Sequence, residues 1–250
     1  MTSYISKAST ILQEEGLLVL LKRAIRLLHN SYIAPFLPRK EVEYNGVVVP
    51  QEYKFKHINP RVDLEGDMPH YESGLVSGIE EFVQKGDKVV IIGGGWGVTA
   101  VKAAQQVGKS GEVVVYEGST TEVNKVRETA KRNDVSDRVS VIHGVVGSPI
   151  KLRGESGSVT HFSPEELPEC DVLELDCEGA EIEILKKIII NPRVILVESH
   201  GLFQAPSSEV KELLEGLSYT IKSKEIADLG MKEEHKSDDV YVFSAVLDSY

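Results

Sequence analysis

The sequence predicts an α/β fold: a parallel sheet wrapped on both faces by helices, preceded by an amphipathic helix and a β-hairpin. Three observations point there. Short apolar runs such as 88–92, 112–116 and 194–198 alternate along the chain with segments of helical periodicity. The breaks between them fall at Gly, Asp, Asn and Pro, the residues that punctuate regular structure. Finally, 250 residues with 41% hydrophobic and 27% charged side chains are the composition of a folded domain rather than of a disordered or fibrous chain. Strand and helix in strict alternation is the pattern of parallel strands joined by crossover helices.

Each element follows in order. The segment 10–28 sets Ile11, Leu12, Leu17, Leu18, Leu21, Ile25 and Leu28 at mostly three-, four- and seven-residue intervals, which predicts an amphipathic helix, with Pro35 and Pro38 beyond its end. Residues 41–44 and 47–49 flank Asn45-Gly46, a dipeptide suited to the positive φ angles of a tight hairpin. From 51 to 69 the chain is irregular, polar and proline-bearing, as a linker or lid is. Residues 1–69 therefore read as an N-terminal extension and 70–250 as the main domain. In that domain the reading is helix 72–84, strand 88–92, a glycine loop, helix 99–107, strand 112–116, helix 122–132 and strand 139–143. A Gly-, Ser- and Pro-rich connection, 147–168, leads to strand 171–175, helix 180–188, strand 194–198, helix 208–217, a short segment 219–222 and a last strand 240–247.

Charge narrows the function. Lys and Arg total 28 against 39 Asp and Glu, a net charge of -11, so no nucleic-acid partner is expected. The first 40 residues carry six basic and two acidic side chains, +4, leaving -15 for the remainder. The amphipathic helix therefore has two readings: peripheral contact with an anionic membrane surface, or burial of its stripe against protein. Cys170 and Cys177 match no zinc spacing and no disulfide framework, and no signal peptide or bilayer-length apolar run is seen, so a cytoplasmic location is expected.

The run Val89-Val90-Ile91-Ile92-Gly93-Gly94-Gly95-Trp96-Gly97 passes from strand through a glycine loop into a helix, where missing Cβ atoms admit close approach of a ligand. Glu117, about 20 residues beyond Gly97, comes just after the next strand, where a carboxylate can take the two hydroxyls of a ribose. Two adenosine cofactors fit. Gly95 to Ala100 satisfies G-x-G-x-x-G/A, the fingerprint of nicotinamide enzymes. With Gly93, the loop also reads G-x-G-x-G and resembles the first motif of class I S-adenosylmethionine-dependent methyltransferases. Ile91 stands where that class often has an acid, and Glu72, opening the preceding helix, is the candidate stand-in.

The run Asp171-Val172-Leu173-Glu174-Leu175-Asp176-Cys177-Glu178-Gly179-Ala180-Glu181 separates these cofactors. A strand running into D-x-E-G-x-E resembles the signature of the FkbM family of methyltransferases, and the likeness extends through Tyr71-Glu72, Gly86-Asp87, Glu117-Gly118, Pro192-Arg193-Val194 and Val197-Glu198-Ser199-His200-Gly201. The resemblance implies a Rossmann-like seven-strand class I methyltransferase sheet and S-adenosyl-L-methionine as cofactor. It also implies methylation of an oxygen on a sugar, glycan or related small-molecule acceptor. On that reading Gly93, Gly95, Trp96 and Gly97 hold the methionyl part, with Glu72 beside them. Glu117 and Gly118 hold the ribose, and His143, Gly144 and Val145 the adenine.

Asp176 closes a strand at the edge where ligands of open α/β sheets bind. Asp176 and Glu178 are candidate catalytic acids, because clustered carboxylates beside a turn repel one another unless something occupies them. His200 would face the same edge, and an imidazole titrating near pH 6.5 suits a general base. Asp176, Glu198 and His200 also contain metal-ligand types, but no ligand spacing supports a metal, which stays unassigned. A nicotinamide oxidoreductase and a non-catalytic nucleotide-cofactor-binding protein are the rival functions.

Overall fold

A computed structural model of the chain describes residues 17–28, 41–50, 67–147 and 159–248. The expected helix start at Thr10, Pro35 and Pro38, the linker from 51 to 66 and the middle of the 147–168 connection lie outside the described residues. The chain divides into a smaller unit, 1–42 and 50–66, and a larger one, Glu43–Val49 and Asp67–Tyr250. In the smaller unit helix α1 spans Leu17–Leu28, and its Leu17, Leu18, Leu21, Ile25 and Leu28 are exposed. No helix among the described residues is long and apolar enough to cross a membrane.

Strands β1 (Glu41–Tyr44) and β2 (Val47–Pro50) form the hairpin, with Asn45 and Gly46 at φ 47° and 75°, the two positive angles their dipeptide favours. Helix α2 (Ser73–Phe82) precedes β3 (Lys88–Ile92), followed by α3 (Val98–Val107), β4 (Glu112–Glu117), α4 (Thr120–Arg132) and β5 (Val139–Val146). Then come β6 (Thr160–Phe162), β7 (Val172–Leu175), α5 (Glu181–Lys187), β8 (Val194–Glu198), α6 (Ser207–Gly216), β9 (Tyr219–Ile226), α7 (Lys232–Ser237) and β10 (Tyr241–Leu247).

Eight strands make one sheet in the order β6-β5-β4-β3-β7-β8-β10-β9. Strands β3 to β8 pair in parallel, Val90 opposite Val114 on one side and Leu173 on the other. The sheet is parallel as expected except at one strand: β10 runs antiparallel to both β8 and β9. The expected seven strands become eight because the three residues of β6 form a strand inside the 147–168 connection.

Helices α5 and α6 cover one face, where Leu173, Leu175, Ile195, Val197 and Phe243 meet Ile184, Leu185, Val210 and Leu214 with no exposure above 1%. Helices α2, α3 and α4 pack against one another across the other face. Successive connections leave β3 in one direction towards β4 and β5, and later return to its other flank at β7. The crevice beyond the C-terminal ends of β3 and β7 is thus the switch point at which open α/β sheets bind ligands.

Candidate active site

The glycine loop is shaped by two contacts across this crevice. Gly93 adopts φ 101°, and a Cβ on it would stand 1.8 Å from the carbonyl oxygen of Asp176, so the loop meets the end of β7 only because residue 93 lacks a side chain. The second contact is Glu117. Its Oε2 accepts the N–H groups of Gly94 (2.9 Å) and Gly95 (3.3 Å), and its Oε1 accepts that of Ser119 (2.7 Å). The acid after β4 thus holds the loop after β3 through the loop's own donors.

Between these elements lies a cavity of about 360 Å³, within the range of small-molecule sites. Glu72, Gly93, Gly95 and Trp96 line one side, Glu117, Gly118, Gly144 and Val145 another, and Asp176, Cys177 and Glu178 a third. Trp96 meets the ring of Tyr44 edge-on at 5.4 Å and carries the Lys125 ammonium 4.0 Å above its centroid. Lys125 is itself paired with Glu122 at 2.9 Å. Glu72 and Glu178, both on the wall, have left-handed backbones at φ 50° and 53°, a conformation that bulky L-residues keep only when the surrounding structure enforces it.

Behind the wall, acids converge on His200. Its Nδ1 lies 2.9 Å from Glu181 Oε1, and its Nε2 lies 3.4 Å from both Asp176 Oδ1 and Glu198 Oε1. Glu181, fully buried, also accepts the N–H groups of Cys177 (3.0 Å) and Gly179 (2.7 Å), so one carboxylate holds both the turn after β7 and the imidazole. Burial alone would lower the His200 pKa; hydrogen bonds to Glu181 and Glu198 and the charge of Asp176 outweigh it and raise the value to about 11. The expectation of an imidazole titrating near neutrality is therefore corrected: His200 is a cation at pH 7 and cannot accept an acceptor's proton there.

The neighbouring carboxylates respond to burial in the opposite sense. Glu72 and Glu174 are each pushed up to about 8 by burial, although the Tyr71 hydroxyl favours the charged form of the first and the Thr99 hydroxyl that of the second. Asp176 is held well above the usual carboxylate range by burial and by Glu198, against the pull of His200. Its side chain is 25% exposed, which opens it to the cavity. Glu174 is 1% exposed, with the Thr99 hydroxyl as its polar neighbour.

No protein-family model and no curated protein matches the chain. Among solved structures it is similar to a SAM-dependent O-methyltransferase from Thermotoga maritima, with 16% identity, 70% of this chain and 64% of that one covered, and a TM-score of 0.48. An O-methyltransferase from Bacillus cereus, solved in complex with SAH, shares 14% identity over 70% of this chain and 80% of that one, TM-score 0.45. A ribosomal protein methylase from Lactobacillus delbrueckii subsp. bulgaricus shares 14% over 77% and 90%, TM-score 0.49.

Of the residues singled out in the sequence, two expected to touch a cofactor do not line the cavity. Gly97, at φ 79°, opens α3 with Val126 packed against it. His143 turns its Nε2 to the carbonyl of Gly118 at 3.1 Å and so shapes the loop after β4 from behind. His200 also lies behind the wall, reaching the cavity through Asp176. Sequence reasoning gave no role to Tyr71, Lys125 or Tyr44. Tyr71 entered only within the likeness at Tyr71-Glu72, Lys125 follows Glu122 by one helical turn but belongs to no motif, and Tyr44 comes from a hairpin read as part of a separate extension.

Proposed function

We propose that the chain is an S-adenosyl-L-methionine-dependent methyltransferase acting on an oxygen of a sugar, glycan or related small molecule. One observation carries the choice of cofactor: the Glu117 carboxylate already occupies the glycine-loop N–H groups of Gly94 and Gly95. In a dinucleotide enzyme these donors would cradle a pyrophosphate. Here an anion would meet Glu117, Glu72, Asp176 and Glu178 around the same cavity. A cofactor bearing a sulfonium and an ammonium suits such a wall. The remaining lone pairs of Glu117 suit ribose hydroxyls, and Glu72 Oε1 lies beside Gly95 for the methionyl end. When bound, that cofactor supplies a methyl group already activated for in-line displacement.

The protein's part is placement and proton removal. Asp176 faces the cavity, and burial raises its carboxyl well above the usual carboxylate range, which makes it a stronger proton acceptor. With that cofactor bound, Asp176 would take the acceptor's proton, and charged His200 would steady the carboxylate. Glu178, on the same wall, is placed to bind the acceptor. The net charge of -11 supports a small or glycan acceptor over a nucleic acid. Exposed apolar side chains on α1 and the basic balance of residues 1–40 support peripheral contact with an anionic membrane. Calorimetric titration with S-adenosylhomocysteine and NADH in parallel tests the cofactor: micromolar binding of the first alone is expected, and tight NADH binding without it overturns the reading.

A further inference from the structure

We propose that residues 43–49, the hairpin around Asn45-Gly46, are part of the ligand site, with Tyr44 as the positioning residue that sets Trp96 and Tyr71 from behind the cavity wall. Tyr44 is 1% exposed. Its ring centroid stands 5.4 Å from that of Trp96, nearly edge-on, and 5.1 Å from that of Tyr71. Both partners line the cavity, and they come from different walls: Trp96 belongs to the glycine loop after β3, and Tyr71 directly precedes Glu72 and α2. One buried ring between them sets the distance between the two walls, and aromatic pairs at such separations contribute beyond the area they bury.

The hairpin is fastened on both sides. Glu43 donates its N–H to Asp67 Oδ1 (2.9 Å), and its carbonyl accepts the N–H of Met68 (2.9 Å). Asn45 donates its N–H to the carbonyl of Met68 (2.8 Å) and its Nδ2 to that of Tyr71 (3.0 Å). On the other strand, Asn133 at the end of α4 accepts the Val48 N–H (3.1 Å) and donates Nδ2 to the Val48 carbonyl (2.8 Å). Helix α4 in turn packs Val126 against Gly94 and Gly97 and holds Lys125 over the Trp96 ring, while Tyr71 and Glu72 lie beside Gly95. The hairpin thus ties together the two segments, 67–72 and α4, that flank the glycine loop.

That loop needs such a support. Four of the five residues 93–97 are glycine, and glycine loses more freedom on ordering than any other residue. A ligand that had to order the loop itself would bind more weakly, in proportion to the fraction of time the loop is formed; the hairpin orders it beforehand. Coupling of this kind is reciprocal, so a ligand in the cavity should stabilise the hairpin in its turn.

Trp96 is the chain's one tryptophan, so its fluorescence reads the loop directly. In the ligand-free full chain, Tyr44→Leu should shift Trp96 emission to the red and raise its quenching by acrylamide, with a smaller change in Tyr44→Phe, which keeps the ring. Unchanged emission and quenching in a folded Tyr44→Leu overturn the inference. Should that variant not fold, Asn133→Ala takes its place and is judged the same way. If neither folds, amide exchange of the wild type in rising urea decides: common opening of 44–48 and 94–97 supports the inference, and independent opening overturns it.

A second arm rests on the methyltransferase reading. S-adenosylhomocysteine should bind at least about fivefold more weakly to Tyr44→Leu than to wild type, and should slow amide exchange at Asn45 and Val48 in the wild type. Equal affinity in both proteins, with the hairpin amides unaffected, overturns the inference and leaves that reading standing. No binding to the wild type overturns the reading, while the fluorescence of the ligand-free chain still decides the inference.

Discussion

Glu117 combines two tasks that conflict in a dinucleotide enzyme, since its carboxylate closes the glycine loop and faces the cavity. Glu117→Gln should therefore weaken S-adenosylhomocysteine about tenfold or more, because a charge-assisted pair is lost and the amide presents N–H where the loop also presents N–H. Calorimetry reads it directly. At Asp176 the expectation differs in kind. Asp176→Asn should cost at least about a hundredfold in turnover with S-adenosylhomocysteine affinity within a few fold, the split that a proton acceptor gives and a binding residue does not. Near-normal turnover of Asp176→Asn with an established acceptor would move the base elsewhere. The loop and the D-x-E-G-x-E turn could be read from the chain because their chemistry is local in sequence. The charge state of His200 could not, since it depends on the fold setting the Asp176–Glu181 turn against the Glu198–His200 segment.

At the scale of elements, strands buried on both faces were legible because they are continuous apolar runs, and β3 and β8 carry the bounds expected of them. Asn45-Gly46 gave the hairpin by backbone preference alone. What stayed hidden lacks a pattern: β6 is three residues, two of them exposed, α7 is polar throughout, and the direction of β10 depends on its connection to β9, which apolar alternation does not encode. Helix α1 is the element whose role is open to direct trial. If its apolar residues rest on lipid, the full chain should co-sediment with anionic liposomes, less so as salt rises. The double variant Leu21→Glu, Ile25→Glu should then stay in the supernatant. Equal pelleting of both proteins would end the membrane reading.

For the molecule as a whole, the buried acids make folding sensitive to base. Glu72 and Glu174 have native pKa values near 8, above an ordinary carboxylate, and His200 has one near 11, above an ordinary imidazole. A group whose pKa rises on folding stabilises the native state below its unfolded pKa, and that contribution is lost as pH climbs through the folded value. All three act in the same sense, among Tyr71, Asp176, Glu181 and Glu198, which face them. The melting temperature of the cofactor-free chain should fall from pH 5 to pH 10, with the fall below pH 8 shallower in Glu174→Gln, as thermal unfolding followed by circular dichroism would show. A flat profile would mean that the acids are already neutralised by another partner.

The place of β10 has a consequence for how the chain is made. It is the last strand of the sheet in sequence yet sits inside it, between β8 and β9. Until it is synthesised, β8 presents an unpaired edge, apolar from Val194 to Val197, of the kind that recruits other chains. The segment leading to His200 also waits on it, since Ser199 donates its N–H to the carbonyl of Tyr241 and its hydroxyl to that of Asp239. A chain cut short before β10 is therefore both adhesive and without the contacts that hold the segment leading to His200. Quality control can recognise the first defect and so remove the second, which makes the final strand a checkpoint on the whole molecule.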